Sequence, residues 1–195
     1  MRNVRKIIIG LLTLGFVGTV AIGTCRAADE TAPPPAGSTP PAAGAAAPAG
    51  GPMLGPVTPP LDLVASTPKG QLKNPYNSDI AAITEEGRHR YLSAGCNGCH
   101  GGGGGGGMGP SLTNDVWVYG ADDDTLFRLI TLGSVELQKQ GYSPVKHETV
   151  PGPMPPFGGI IKTSDDLWRI IAFIRSVNPG SLQHADDPYV PPQQF

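Results

Sequence analysis

"AGCNGCHGGGGGGGMGPSL", residues 94–112, sets two cysteines and a histidine directly before seven consecutive glycines and a methionine. Cys96, Cys99 and His100 stand in the spacing C-x-x-C-H, the attachment signature of c-type haem. Two cysteines separated by two residues can form thioethers to both vinyl groups on one edge of a porphyrin, and the adjacent histidine is then held beneath the iron as an axial ligand. Zinc would want four nitrogen or sulfur ligands. Past the leader only these two cysteines are available, with His89, His147 and His184 scattered elsewhere. A thiol–disulfide pair of thioredoxin type would sit in a strand–helix unit, and no strand-type alternation is found here.

A six-coordinate iron needs a second axial ligand. Met154 lies in "VPGPMPPFGG", fifty-four residues beyond His100, with prolines on both sides that keep the backbone extended and present the thioether rigidly. Met108 follows His100 by eight residues, in the loop that must leave the proximal side, and is poorly placed to cross the ring. Gap-filling in a core is the ordinary use of methionine, and Met108 is assigned to that class. The Pro110 carbonyl is a candidate acceptor for His100 Nδ1–H, a bond that would fix the imidazole. Glycine after His100 lets the chain turn close to a porphyrin. The length of the run admits either a slack surface loop or a docking role near the haem edge. Trp117 and Tyr119, in "DVWVYG", either donate to a haem propionate or wall the pocket.

Working outward, the N-terminus has a basic stub (Arg2, Arg5, Lys6), an uncharged, mostly apolar stretch from Ile7 to Thr24, and then "CRAADE". This is the layout of a signal peptide cleaved after Ala27. A retained anchor or a lipid-modified Cys25 is the alternative. Four of the fourteen basic residues precede that cut and none of the sixteen acidic ones does, so the mature chain has a formal net charge of −6. Nucleic acid is a poor partner for such a chain. Residues 28–60 are almost wholly Ala, Pro and Gly and read as a disordered tether. Residues 61–195 are left for one domain, with its core at about 80–180.

Three helices are expected. The first runs over 84–94 with Thr84 as N-cap. The second starts with Asp123 as cap and ends at Gly133, and the third runs from Ser164 as N-cap to Val177. Asp122, Asp123 and Asp124 read as a solvated helix start suited to the dipole, with a cation or partner site as the alternative. His89, His147 and His184 read as surface residues. The class is mainly α. Three short helices bury little surface, and the segments 95–122 and 134–163 are long for connections, so a bound cofactor at the centre answers both difficulties.

Residues 80–180 resemble a class I c-type cytochrome. The carriers are CNGCH, the G-P-x-L at Gly109, Pro110 and Leu112, the methionine-bearing loop and the terminal helix. The resemblance implies a first and last helix that cross where Gly87 and Tyr91 meet Ile170 and Phe173. A narrower likeness, in "DDDTLFRLITLGS" and "GPMPPFGGIIK" together with the motif, is to cytochrome cL, the electron acceptor of PQQ-dependent methanol dehydrogenases, particularly the lanthanide type. It implies a periplasmic one-electron carrier that transforms no substrate. The donor would be a quinoprotein alcohol dehydrogenase and the acceptor a smaller cytochrome or an oxidase. A peroxidase-like enzyme or a gas-sensing haem domain is the rival, and either would need an open iron position.

Overall fold

The structure is a computed structural model and describes residues 55–188; the expected signal peptide and residues 28–54 of the tether lie outside it. The elements are helices α1 (Pro60–Ser66), α2 (Ile80–Ser93), α3 (Asn97–His100), α4 (Asp123–Lys139) and α5 (Ser164–Val177), followed by a 3-10 turn at Pro179–His184. Among the described residues there is no strand, and no helix is long and apolar enough to cross a membrane.

The crossing of α2 and α5 organises the core. Gly87 makes the approach possible: a Cβ there would fall 2.1 Å from the Arg169 carbonyl oxygen and 3.0 Å from Phe173 Cβ. One turn on, Tyr91 and Phe173 pack with ring centroids 5.0 Å apart and planes tilted by 56°, within the range favoured by edge-to-face pairs. Leu167, Ile170, Ile171 and Ile174 extend this face along α5.

The helices differ from expectation at three N-caps and one interior. The first expected helix starts four residues earlier, because Asp79 and not Thr84 caps it; the Thr84 hydroxyl donates back to the Ile80 carbonyl inside the helix. Thr163 caps α5, its hydroxyl accepting from the Asp166 amide at 3.1 Å. Asp122 caps α4 by accepting from the Thr125 amide at 2.9 Å. Gly133 does not end that helix. It breaks it (φ 75°, ψ 164°), and the helix resumes to Lys139.

The reading of Asp122–Asp124 as a solvated helix start is corrected: all three are buried. Asp123 pairs with Arg175 at 2.5 Å, both side chains fully enclosed, and accepts from the Asn74 amide at 2.8 Å. Asp124 pairs with Arg128 at 2.8 Å and accepts from the Leu72 amide and the Tyr142 hydroxyl. On α5, Asp165 pairs with Arg169 at 2.8 Å, and Arg169 also reaches Glu86 of α2. Asp123, Asp124 and Asp165 each have a cation and further donors, which is the condition for burying a charge.

These carboxylates explain how the segment before α2 is fixed. Residues 55–58, the end of the expected tether, lie against the start of α5: Gly55 N–H donates to Asp165 at 3.1 Å, and the Ser164 and Asp165 amides donate to the Thr58 and Pro56 carbonyls. Arg128 donates to the carbonyls of Val64, Thr67 and Pro68. The ordered domain thus begins at least six residues before the expected boundary. Orphan amides at a helix start, which composition does not reveal, hold it there.

Burial alone would raise the Asp124 pKa, but Arg128, the Gly70 and Leu72 amides and Tyr142 hold it below the ordinary carboxylate range. A depressed folded value means stability that is fully present above the unfolded value of about 3.9 and lost as pH falls through the folded one. Asp124→Asn is therefore expected to cost roughly 3 kcal/mol at neutral pH and to flatten the loss of stability below about pH 4. Urea unfolding of the holoprotein across pH reads this. An equal cost at pH 7 and pH 2.5 would assign the effect to packing.

Candidate functional site

The motif folds as a tight turn of helix. Tyr91 N-terminal to it, wholly buried, donates its hydroxyl to the Gly101 carbonyl at 2.7 Å and so ties the end of α3 to α2. Its phenol is pushed up to about 12 by burial and by the nearby Cys96 and Cys99 thiols, so it acts as a donor at any ordinary pH. Burial, with Cys99 beside it, pushes the Cys96 thiol up to about 11. A buried thiol with a raised pKa is a poor attacking thiolate. Among the described residues no group of three or more His, Cys, Asp or Glu side chains is placed to hold a metal ion, so the zinc reading has no ligand set.

His100 Nδ1 lies 2.8 Å from the Pro110 carbonyl oxygen. As Nδ1–H it donates there, which leaves Nε2 with its lone pair free for a metal. The chain holds this geometry from behind. A Cβ at Gly109 would come within 2.9–3.3 Å of three ring atoms of His100, so the backbone packs flat on the imidazole.

The glycine run is an ordered loop. The Gly106 amide donates to the His100 carbonyl at 2.8 Å, the Gly109 amide to Cys99 at 2.9 Å and the Leu112 amide to Gly104 at 2.7 Å. The slack-loop reading is corrected: the run returns on itself through backbone bonds. Nothing in the structure explains why Gly102, Gly103 and Gly105 must be glycine, since a Cβ at each would meet nothing within 4 Å.

The motif opens on a cavity of about 340 Å³. Cys96, Cys99 and His100 lie on one side and Met154 also lines it; Leu126, Ile130 and Phe157 are among its apolar walls. Pro110, Trp117 and Tyr119 line it too. The Trp117 indole N–H donates to the Leu112 carbonyl at 3.0 Å, so this residue walls the pocket with its donor engaged. The Tyr119 hydroxyl takes a hydrogen bond from Gln138. Met108 is 61% exposed and is not among the lining residues. His89, His147 and His184 are exposed.

Met154 is held by a feature that the sequence did not announce. The break in α4 at Gly133 turns the Ser134 amide out of the helical ladder, and it donates to the Met154 carbonyl at 3.0 Å. The Ser134 hydroxyl accepts from the Met154 amide, also at 3.0 Å. The carbonyls of Ile130 and Thr131, which the break frees, take the amides of Phe157 and Gly158 at 2.9 and 3.0 Å. The one available signal was Leu137, which continues the apolar spacing past Gly133 and argues for an interrupted helix over a finished one.

The residues fit a flat apolar group bearing a metal: a greasy slot, two thiols on one rim, one imidazole with its rear nitrogen engaged, and a thioether on the lining. Left unfilled, an apolar pocket of about 340 Å³ forfeits packing contacts in a domain whose whole stability is of the ordinary order, about 5–15 kcal/mol. Helices few and short, long connections and this slot define a monohaem domain of the class I cytochrome c type. Residues 84–178 match the family model for cytochrome c, so this segment is a cytochrome c domain, and its cofactor is haem c, covalently bound, with iron. No curated protein and no solved structure gives a match. The match supports a haem electron carrier.

Proposed function

We propose that the protein is a periplasmic one-electron carrier in which Cys96 and Cys99 would hold the haem by thioethers and His100 and Met154 would ligate its iron. When bound, the haem supplies a ferric–ferrous couple. Cys96 and Cys99 fix its edge and register. His100, kept as the Nδ1–H tautomer by the Pro110 carbonyl, offers Nε2. Met154 offers a neutral thioether, which favours the ferrous state relative to nitrogen or thiolate ligation and raises the potential. The apolar walls keep water from the site, and the rigid frame leaves little to rearrange when charge arrives.

The observation that carries this reading is the presence of both ligand donors on one apolar cavity, each with its backbone or rear nitrogen locked by a neighbour. A peroxidase or gas sensor would need one of those positions open. Export follows from the signal-like leader.

The donor, by the resemblance to cytochrome cL, is a PQQ-dependent alcohol dehydrogenase of the methanol-oxidising, lanthanide type, and the acceptor is a smaller cytochrome or a terminal oxidase. Stopped-flow mixing of ferric protein with reduced quinoprotein dehydrogenases is the test. Reduction within the enzyme's turnover time is expected. Failure with every such enzyme, beside fast reduction by another donor, would remove the assignment of partner and leave the electron carrier.

A further inference from the structure

We propose that Ser134, presented by the break in α4 at Gly133, is a positioning residue that sets how firmly Met154 stays on the iron and hence the potential of the carrier. The inference rests on the reading of Met154 as the distal ligand.

A thioether is a neutral, weak ligand, so its retention depends on how narrowly the protein confines its backbone. In the stretch Pro153–Met154–Pro155–Pro156–Phe157, three residues lack an amide hydrogen, and only Met154 and Phe157 can donate. Both donate to α4: Met154 to Ser134 Oγ and Phe157 to the Ile130 carbonyl. The Met154 carbonyl accepts in turn from the Ser134 amide. Met154 is thereby gripped at both its backbone polar groups by a single residue.

That grip exists because α4 is interrupted. An unbroken helix would commit the Ser134 amide to the Ile130 carbonyl four residues back, and both would be lost to the loop. Glycine is required at the break twice over. Its φ of 75° is left-handed, and a Cβ would fall 2.7 Å from the Met154 carbonyl oxygen and 2.8 Å from Pro156 N. The helix yields three of its own groups, the Ser134 amide and the Ile130 and Thr131 carbonyls, and the methionine loop takes all three.

Ser134 touches neither the haem edge cysteines nor His100 by any of these bonds, so its effect should be confined to the distal side. The test compares Ser134→Ala, Ser134→Val and Ser134→Thr with wild type as full-length ferric holoprotein. Three quantities are read: imidazole affinity of the iron, reduction potential, and the far-red sulfur-to-iron absorption band during warming. Ala and Val delete the acceptor of the Met154 amide, and each is expected to raise imidazole affinity roughly five- to tenfold, the worth of one ordinary hydrogen bond. Each should also lower the potential and lose the band at a lower temperature than global unfolding. Threonine has the shape of valine but keeps the hydroxyl, and should restore all three.

Wild-type affinity and potential in Ser134→Val, with the band present, would overturn the proposal. So would a threonine variant that behaves like valine, since shape and not the hydroxyl would then be responsible. A wild-type ferric protein with no such band removes Met154 as a ligand, and this role of Ser134 falls with it. In wild type, independently of any variant, the Met154 amide should exchange its hydrogen far more slowly than the Gly152 amide. Equal fast exchange would contradict the grip directly.

Discussion

Alanine at both Cys96 and Cys99 yields a chain without covalently bound haem and without most of its tertiary structure. The expectation follows from the cavity. The helices α2, α4 and α5 all contribute residues to its wall, and in the apolar slot between them burial of the porphyrin replaces contacts that these helices cannot make with one another. Loss of the group exposes the apolar slot and forfeits its packing contacts, in a domain whose entire stability is only about 5–15 kcal/mol. Ligand binding to the native state alone contributes to that stability. Circular dichroism and urea unfolding of the double variant read the outcome. A well-folded double variant with an ordinary unfolding transition would show that the ionic frame of Asp123, Asp124 and Asp165 suffices to hold the domain, and that the haem is an occupant only.

Met154→Ala gives the second large effect. With Met154 as the proposed ligand, removing the thioether would open the iron, and the potential is expected to fall by on the order of one to several tenths of a volt, within the roughly 0.8 V that axial ligation spans. The far-red band disappears, and carbon monoxide binds the ferrous form readily. Met108→Ala leaves all of these near wild type, because Met108 is 61% exposed and lies off the cavity. Potentiometry and absorption spectra of the two variants decide the matter together. Equal effects, or an effect only at Met108, would place the distal ligand wrongly.

The proximal half of the site was legible because its information is local. C-x-x-C-H fixes three groups within five residues, and Pro110 is near enough in sequence for its carbonyl to be foreseen as the partner of His100. The α2–α5 crossing was legible for a similar reason: Gly87 and Tyr91 share one helix face, as do Ile170 and Phe173. What escaped depends on groups distant in the chain. Asp123 and Asp124 looked like a solvated helix start because Arg175 and the amides of Leu72 and Asn74 lie some fifty residues away. Residues 55–58 looked like tether because their order comes from helix-start amides more than a hundred residues on. Gly133 looked like a stop because glycine commonly ends helices; that the helix continues depends on Met154, Phe157 and Gly158 satisfying the groups released at the break. The glycine run left a slack loop open as one of two readings because composition carries no trace of backbone bonds such as Gly106 to His100.

One measurement bears most directly on the whole: purify the protein from a host that matures c-type cytochromes, denature it fully, and ask whether haem absorbance stays with the polypeptide and which residues carry it. The expected result is one haem per chain, retained through denaturation and located by peptide mass at Cys96 and Cys99. A colourless chain with both thiols free to alkylate would contradict it.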